Sequence, residues 1–150
     1  MAAFPTGVAV ITTCDADGAP KGFTSNAVTS VSLEPPLLLV CVARTSETLP
    51  VLRRIRRFVV NFLKSGEHEV AARFARKGPD KFDGVSFDTR DGVPVLYEHA
   101  IAHAVCTTES ELEAGDHIVL IGRVVAGDSL PGDAEPLLYY RSRYPSWLGA

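Results

Sequence analysis

The run LLLVCVA, Leu37 to Ala43, follows Pro35 and Pro36 and holds no charged or hydroxyl side chain. A continuous apolar run of that length, bounded by turn residues, predicts a central strand buried on both faces. FVVNFL, Phe58 to Leu63, predicts a second central strand. VAVITT (Val8 to Thr13) and KGFTS (Lys21 to Ser25) flank CDADGAP, whose Asp-Ala-Asp-Gly is turn chemistry, so the two runs read as a hairpin. Residues 100–128, AIAHAVCTTESELEAGDHIVLIGRVVAGD, predict two long strands joined near Gly115. LLYYRSRY (Leu137 to Tyr144) predicts a last strand or strand end.

Only two segments carry helical spacing. In RTSETLPVLRRIRR, Leu49, Leu52 and Ile55 recur on one face, Ser and Thr precede them as caps, and Pro50 falls in the first turn, where a missing N–H is harmless. In EHEVAARFARK, Val70, Ala71 and Phe74 share a face. KGPDKFDGVSFDTRDG, Lys77 to Gly92, reads as a long loop rich in Gly and Asp. Many strands with two short helices predict a β-rich, mainly antiparallel fold, a closed or split β-barrel with short flanking helices, and disfavour a doubly wound α/β sheet. At 150 residues, 46% hydrophobic and 22% charged, with no repeat or linker, the chain predicts a single domain over 1–150 with a real core.

A net charge of -3 offers no general attraction to nucleic acid or to an anionic membrane. Neither a signal sequence nor an apolar run of membrane-spanning length is present, which predicts a soluble, cytoplasmic protein. Cys14, Cys41 and Cys106 form no C-x-x-C pair and read as reduced, buried thiols. His68, His99 and His103 have no metal-ligand spacing, so no metal is expected. RRIRR, Arg53 to Arg57, reads as the wet face of a helix, with docking of an acidic partner as the other use of four arginines.

The chain has no G-x-G-x-x-G after a strand and no phosphate loop of the G-x-x-x-x-G-K-[ST] type. A phosphate held here needs another device, and Arg44, Thr45, Ser46 and Thr48 at the start of the first helix supply one: free N–H groups, hydroxyls and a guanidinium. Taken alone, Ser46 and Thr48 equally read as helix caps. A further oddity is GFTSNAVTSVS, Gly22 to Ser32, which has too many hydroxyls for a core strand and too few charges for a solvated loop.

Taken in order, FPTGVAVITT, GFTSNAVTSVSLEPPLLLVCV, RTSETL, FVVNFL, RFARKGPDKFDGV, GDHIVLIGRV and LLYYRSRY resemble the flavin reductase family with the FMN-binding split barrel, which includes the small reductase components of two-component flavin monooxygenases. The resemblance covers nearly the whole chain. It implies hydride transfer from NADH or NADPH to FMN or FAD, a homodimer, and a separate oxygenase as partner, the alternatives being a split-barrel FMN oxidoreductase acting on a small organic substrate and a non-enzymatic flavin-binding module. It places Thr24, Ser25, Asn26 and Ala27 along the flavin ring, with Ser30 and Val31 continuing that wall. Arg44, Thr45, Ser46 and Thr48 would take the ribityl phosphate, and Lys77, Lys81 and Phe82 would close over the flavin. Gly115, Asp116 and His117 match the family's G-D-H, which implies that His117 positions the nicotinamide, with Tyr140 and Arg141 touching the dinucleotide from the last strand. No side chain is implied as a covalent or acid–base catalyst, since the hydride passes directly between cofactors. There are two departures: His103 replaces a large apolar residue, and only Met-Ala-Ala precedes Phe4 where the family carries a helical segment.

Overall fold

The computed structural model describes residues 2–146. In chain order the elements are β1 (Thr6–Gly7), β2 (Ala9–Cys14), β3 (Pro20–Ser25), β4 (Val28–Ser32), β5 (Leu37–Ala43), α1 (Leu49–Ile55), β6 (Arg57–Leu63), α2 (His68–Ala75), a 3-10 turn (Asp80–Phe82), β7 (Asp88–Arg90), β8 (Val93–Val95), β9 (Ala100–Ala114), β10 (His117–Ser129) and β11 (Leu138–Tyr139). Seven of the strands form one antiparallel sheet in the order β3-β2-β6-β9-β10-β5-β4. Side chains of β2, β5, β6, β9 and β10 meet in one core with Leu49 and Leu52 of α1, and Phe23 of edge strand β3 and Val28 of edge strand β4 pack against the same cluster. Strands so far apart in the order share a core only if the sheet curls on itself. The two edges therefore approach without pairing, and the result is an open barrel.

β6 is covered on both sides, as its sequence predicts. Phe58 and Val60 enter the barrel core. Val59 joins Val93, Val95 and Val105 outside it, and Leu63 packs under α2. β5 departs from the expectation of burial on both faces. Leu38, Val40 and Val42 are buried, whereas Leu37, Leu39, Cys41 and Ala43 are half-buried. An apolar run reports the chemistry of both faces of a strand, but what covers the second face is decided by topology, and β5 lies one strand from the sheet edge.

A second core forms where α2 lies across the sheet, with Val70, Ala71 and Phe74 over Val8 and Val10 of the β1–β2 segment. Gly22 makes that approach possible. A Cβ there would stand 2.8 Å from the Ile11 carbonyl oxygen and 3.0 Å from Cε1 of Phe74, closer than any side chain tolerates without movement of its neighbours. Between β2, β6 and β8 sits a buried polar knot. Asn61 donates from Nδ2 to the Val10 carbonyl and to Thr12 Oγ1, both at 3.0 Å, and its Oδ1 accepts the Leu96 N–H at 2.9 Å.

Several other sequence expectations are corrected. The segment read as an unbroken loop from Lys77 to Gly92 contains the 3-10 turn and β7, which pairs with β8 around Asp91 and Gly92. Their φ values of 50° and 79° are those a two-residue type I′ hairpin needs, and Asp-Gly is its sequence signal. β11 ends at Tyr139. Tyr140 and Arg141 lie beyond it in a turn, with Arg141 at φ 47° and its guanidinium stacked on Tyr140. Of the three cysteines, all free, only Cys106 is buried. Three of the four arginines in RRIRR are engaged within the chain, Arg53 with Glu111, Arg56 with the Thr108 carbonyl and Arg57 with the Asp91 carbonyl, which leaves no continuous basic face to dock an acidic partner. His103 is buried beside the edge of Tyr97, where burial lowers its pKa, so it packs as a neutral ring in the place of an apolar residue. Among the described residues no helix is long and apolar enough to cross a membrane, and no group of three potential metal ligands occurs.

Candidate functional site

A cleft of about 260 Å³ opens at the barrel rim between the end of α2 and the C-terminal end of β5. It gathers nine of the residues singled out from sequence: Thr24, Ser25, Asn26, Ala27, Thr45, Ser46, Lys77, Lys81 and His117. They come from four separate segments. Residues 24–27 turn from β3 into β4, 45–46 follow β5, Lys77 and Lys81 belong to the loop after α2, and His117 begins β10. The register His117↔Ala43 sets the histidine beside the end of β5.

The hydroxyls in this cleft mostly build it. Thr24 Oγ1 donates to the Ala71 carbonyl at 2.6 Å and ties β3 to α2. Ser25 Oγ accepts the Ala27 N–H at 3.1 Å and shapes the turn. Ser46 Oγ accepts the Thr48 N–H at 3.3 Å. Thr48 is buried, and its hydroxyl donates to the Gly22 carbonyl rather than capping α1. Thr48 therefore braces the cleft from behind. Asn26 and Thr45 make no side-chain hydrogen bond with any described residue and remain for a ligand.

Arg44 is also spent elsewhere. Its N–H donates to the Asp116 carbonyl at 2.9 Å, its Nε to the Gly115 carbonyl at 2.9 Å, and its guanidinium pairs with Glu113 at 3.0 Å. It holds the β9–β10 turn, so the phosphate role expected for Arg44 is corrected to one of positioning. In the same turn His117 Nδ1 lies 2.8 Å from an Asp116 carboxylate oxygen, which leaves Nε2 for the cleft. That hydrogen bond, with the imidazole's charge, holds the Asp116 carboxyl below its ordinary range.

The loop after α2 is pinned at two points. Lys81 Nζ donates to the Gly22 carbonyl at 2.9 Å, and Glu47 accepts the Gly78 N–H at 3.1 Å. Partial burial lowers the Lys81 pKa, and the charge of Glu47 opposes that fall. Phe82 stands edge-on to Phe74 at 4.8 Å, behind the cleft wall and outside its lining. Ser30 and Val31 lie along edge strand β4, away from the cleft, and Tyr140 and Arg141 do not reach it. Phe23 and Phe74 line the cleft, and Tyr139 and Tyr144 line an adjoining recess with Asn26 and Ala75. Sequence reasoning also missed Cys41, Ala43, Glu47 and Arg76 as lining residues. Alternation along β5 was the available signal for Cys41 and Ala43.

Small side chains at Ala27, Cys41, Ala43 and Ala75 leave room for a flat ring, the Asn26 amide offers both donor and acceptor, and Arg76, Lys77 and Lys81 concentrate positive charge. That set fits a planar heteroaromatic group with an anionic tail, as a flavin mononucleotide is.

Comparison with known proteins agrees with this chemistry. Residues 1–148 match the family described as "Flavin reductase like domain". The chain is 45% identical over 149 residues to a flavin reductase (NADH) of Kitasatospora aureofaciens, covering 98% of this chain and 78% of that protein. It is 40% identical to the reductase subunit HsaB of a flavin-dependent monooxygenase from Rhodococcus jostii, covering 94% and 71% respectively. The structure of the NADH:FAD oxidoreductase SgcE6 of Streptomyces globisporus in complex with NAD and FAD fragments superposes with a TM-score of 0.91 at 34% identity, covering 98% of this chain and 88% of that one.

Proposed function

The chain belongs to the flavin reductase like domain family and has its split β-barrel, and from that premise we propose that it transfers a hydride from NADH or NADPH to FMN or FAD. The observation that carries this reading is the cleft itself, where small residues, one bifunctional amide and a cationic end converge from four segments. A bound flavin supplies the hydride-accepting ring, and the chain supplies binding, orientation and a fixed field. Residues 24–27 would lie along the ring, with the Asn26 amide at its polar edge. Thr45, Lys77 and the neighbouring Arg76 would hold the phosphate, with Lys81 contributing charge while its ammonium stays on Gly22. His117 Nε2 would orient the nicotinamide against the ring, since hydride transfer requires the two rings in contact. No protein group needs to exchange a proton with the reacting carbon.

The reading extends to partners. Leu37, Leu39, Val119 and Ile121 form a half-buried strip on the outer face of β5 and β10, continued by Val31 at 48% and Leu33 at 89% exposure. A strip of that kind fits a second copy of the chain, and the protein would act as a homodimer. HsaB is a monooxygenase subunit, and the same arrangement here would deliver reduced flavin to a separate oxygenase. The free thiols fit the reducing cytoplasm. The test is NADH oxidation by purified protein with free FMN or FAD in excess. Sustained turnover of free flavin is the expected result. Reduction that stops after one equivalent of bound flavin would instead assign a reductase acting on another small substrate.

A further inference from the structure

A recess of about 50 Å³, whose walls share no residue with the cleft, opens where β9 and β10 run past the link between β8 and β9. Tyr97, Ile101, His103, Asp128 and Leu130 are among its lining residues. His103 is only 6% exposed, and its Nε2 is buried with no hydrogen-bond partner among the described residues. Folded chains rarely leave such a nitrogen unmet. The strand register sets Asp128 opposite His103, so an exposed carboxylate shares the recess with that nitrogen. We propose that the recess is a site for a primary alkylammonium group, which donates to His103 Nε2 and to the Asp128 carboxylate.

The chemistry of the walls selects that ligand. Burial lowers the His103 pKa, the charge of Arg90 adds to the fall, and Asp128 opposes it. The ring is therefore neutral at pH 7, and with its proton on Nδ1 it presents Nε2 as an acceptor. Asp128 Oδ1 accepts the Ser129 N–H at 2.8 Å, and the other carboxylate oxygen has no hydrogen bond with a described residue. Two acceptors, one of them anionic, call for a ligand with two donors and a positive charge. A water meets the first need and not the second, and a quaternary ammonium meets the second and not the first. One water needs about 10–15 Å³ of such space, so the recess takes an ammonium head and the first methylenes of its stem. Tyr97 stands edge-on to the imidazole at 5.0 Å and steadies it. Together with Ile101 and Leu130, which is 47% exposed, it gives the stem an apolar bed. Glu98, in a neighbouring recess that Tyr97 also lines, adds negative charge against that of Arg90.

NMR titration of the unaltered protein with n-butylammonium, tetramethylammonium and n-butanol tests this, read at the His103 ring nitrogens and the backbone amides of Ala102 and Asp128. Only n-butylammonium is expected to shift the Nε2 resonance. Its affinity should be flat from about pH 7 to 9 and weaken as pH falls through the lowered His103 value, where the imidazolium no longer accepts and repels the ligand. His103→Leu is expected to raise its Kd about tenfold, and Asp128→Asn about fivefold, with FMN binding unchanged in both. Nα-acetyl-lysine amide binding more tightly than n-butylammonium would assign the site to a lysine of a protein partner, and binding no more tightly would assign it to a free amine. Either result supports the site. Equal shifts with n-butanol would make the recess merely apolar, equal shifts with tetramethylammonium would make it merely an acidic surface, and no shift with any probe would leave Nε2 to water. Each of these overturns the proposal, as does n-butylammonium affinity that survives both substitutions. Should His103→Leu fail to fold, the Nε2 shift in the parent and the Asp128→Asn titration decide it.

Discussion

His117 has one ring nitrogen committed to Asp116 and the other left for the cleft, so its loss should be felt by the nicotinamide and by little else. His117→Ala is expected to raise the KM for NADH about tenfold, the worth of one well-placed hydrogen bond in a partly open site, with the FMN Kd and Tm unchanged. Single-turnover reduction of bound flavin by NADH measures it, and an unchanged NADH dependence would remove His117 from the site. The Asp116 carboxyl is depressed in the folded chain. The pairing is therefore complete above the ordinary carboxylate range and is lost only as pH falls through the lowered value, so the KM for NADH should show no step from Asp116 between about pH 5 and 8. The thiols give a second residue-scale test. Burial pushes Cys106 up to about 12, whereas Cys41 lines the cleft half-buried. Iodoacetamide should alkylate Cys41 in the native protein, with FMN slowing the reaction, and reach Cys106 only on unfolding. Because the unfolded thiol ionises near 9 and the folded one near 12, the contribution of Cys106 is intact below pH 9 and declines as pH rises toward 12. At this scale the sequence was most legible in residue type and least in direction. GFTSNAV stands out in the sequence for its hydroxyls, and Thr24 and Ser25 turn theirs toward α2 and their own backbone. Arg44 was matched to the phosphate by its chemistry, though its nearest partners, Gly115 and Glu113, are about seventy residues away in sequence.

Strands and helices were legible where a local signal was complete. The Asp-Ala-Asp-Gly hairpin, the helix entered through Pro50 and the long β9–β10 hairpin all follow from turn chemistry and periodicity that need no tertiary information. The β7–β8 hairpin carried an equally plain Asp-Gly and was hidden by strands of only three residues. The Asn61 knot was not legible at all, because an asparagine amid FVVNFL says nothing of which carbonyls and N–H groups it will meet across three strands. Asn61→Leu, close in volume, leaves the Leu96 N–H without a partner in a dry interior. It is expected to lower stability by about 2–3 kcal/mol, read by urea unfolding. Gly22 couples an element to the site. A methyl there pushes against Phe74 and the Ile11 backbone, so Gly22→Ala should destabilise the fold by about 1–3 kcal/mol and also weaken FMN, since Phe74 lines the cleft. Loss of stability with FMN affinity unchanged would show that the helix shifts without disturbing the cleft wall.

Across the whole molecule, the barrel leaves one side open, and the half-buried strip over β5 and β10 is the face on which the proposed second copy would pack. Ile121→Asp places a charge in the middle of that strip and should convert a dimer to a monomer in sedimentation velocity. A parent that already sediments as a monomer would refute the pairing. The clamp made by Arg44 has a different reach. By gripping the turn that carries His117 from the segment that carries Thr45 and Ser46, it joins the walls proposed for the two ligands into a single mechanical part. Each ligand then finds the other's wall already ordered, and thermodynamic linkage requires the benefit to be mutual. FMN should tighten NAD⁺ by the same factor by which NAD⁺ tightens FMN, and Arg44→Ala should bring that factor to one by isothermal titration while each ligand, alone, binds almost as before.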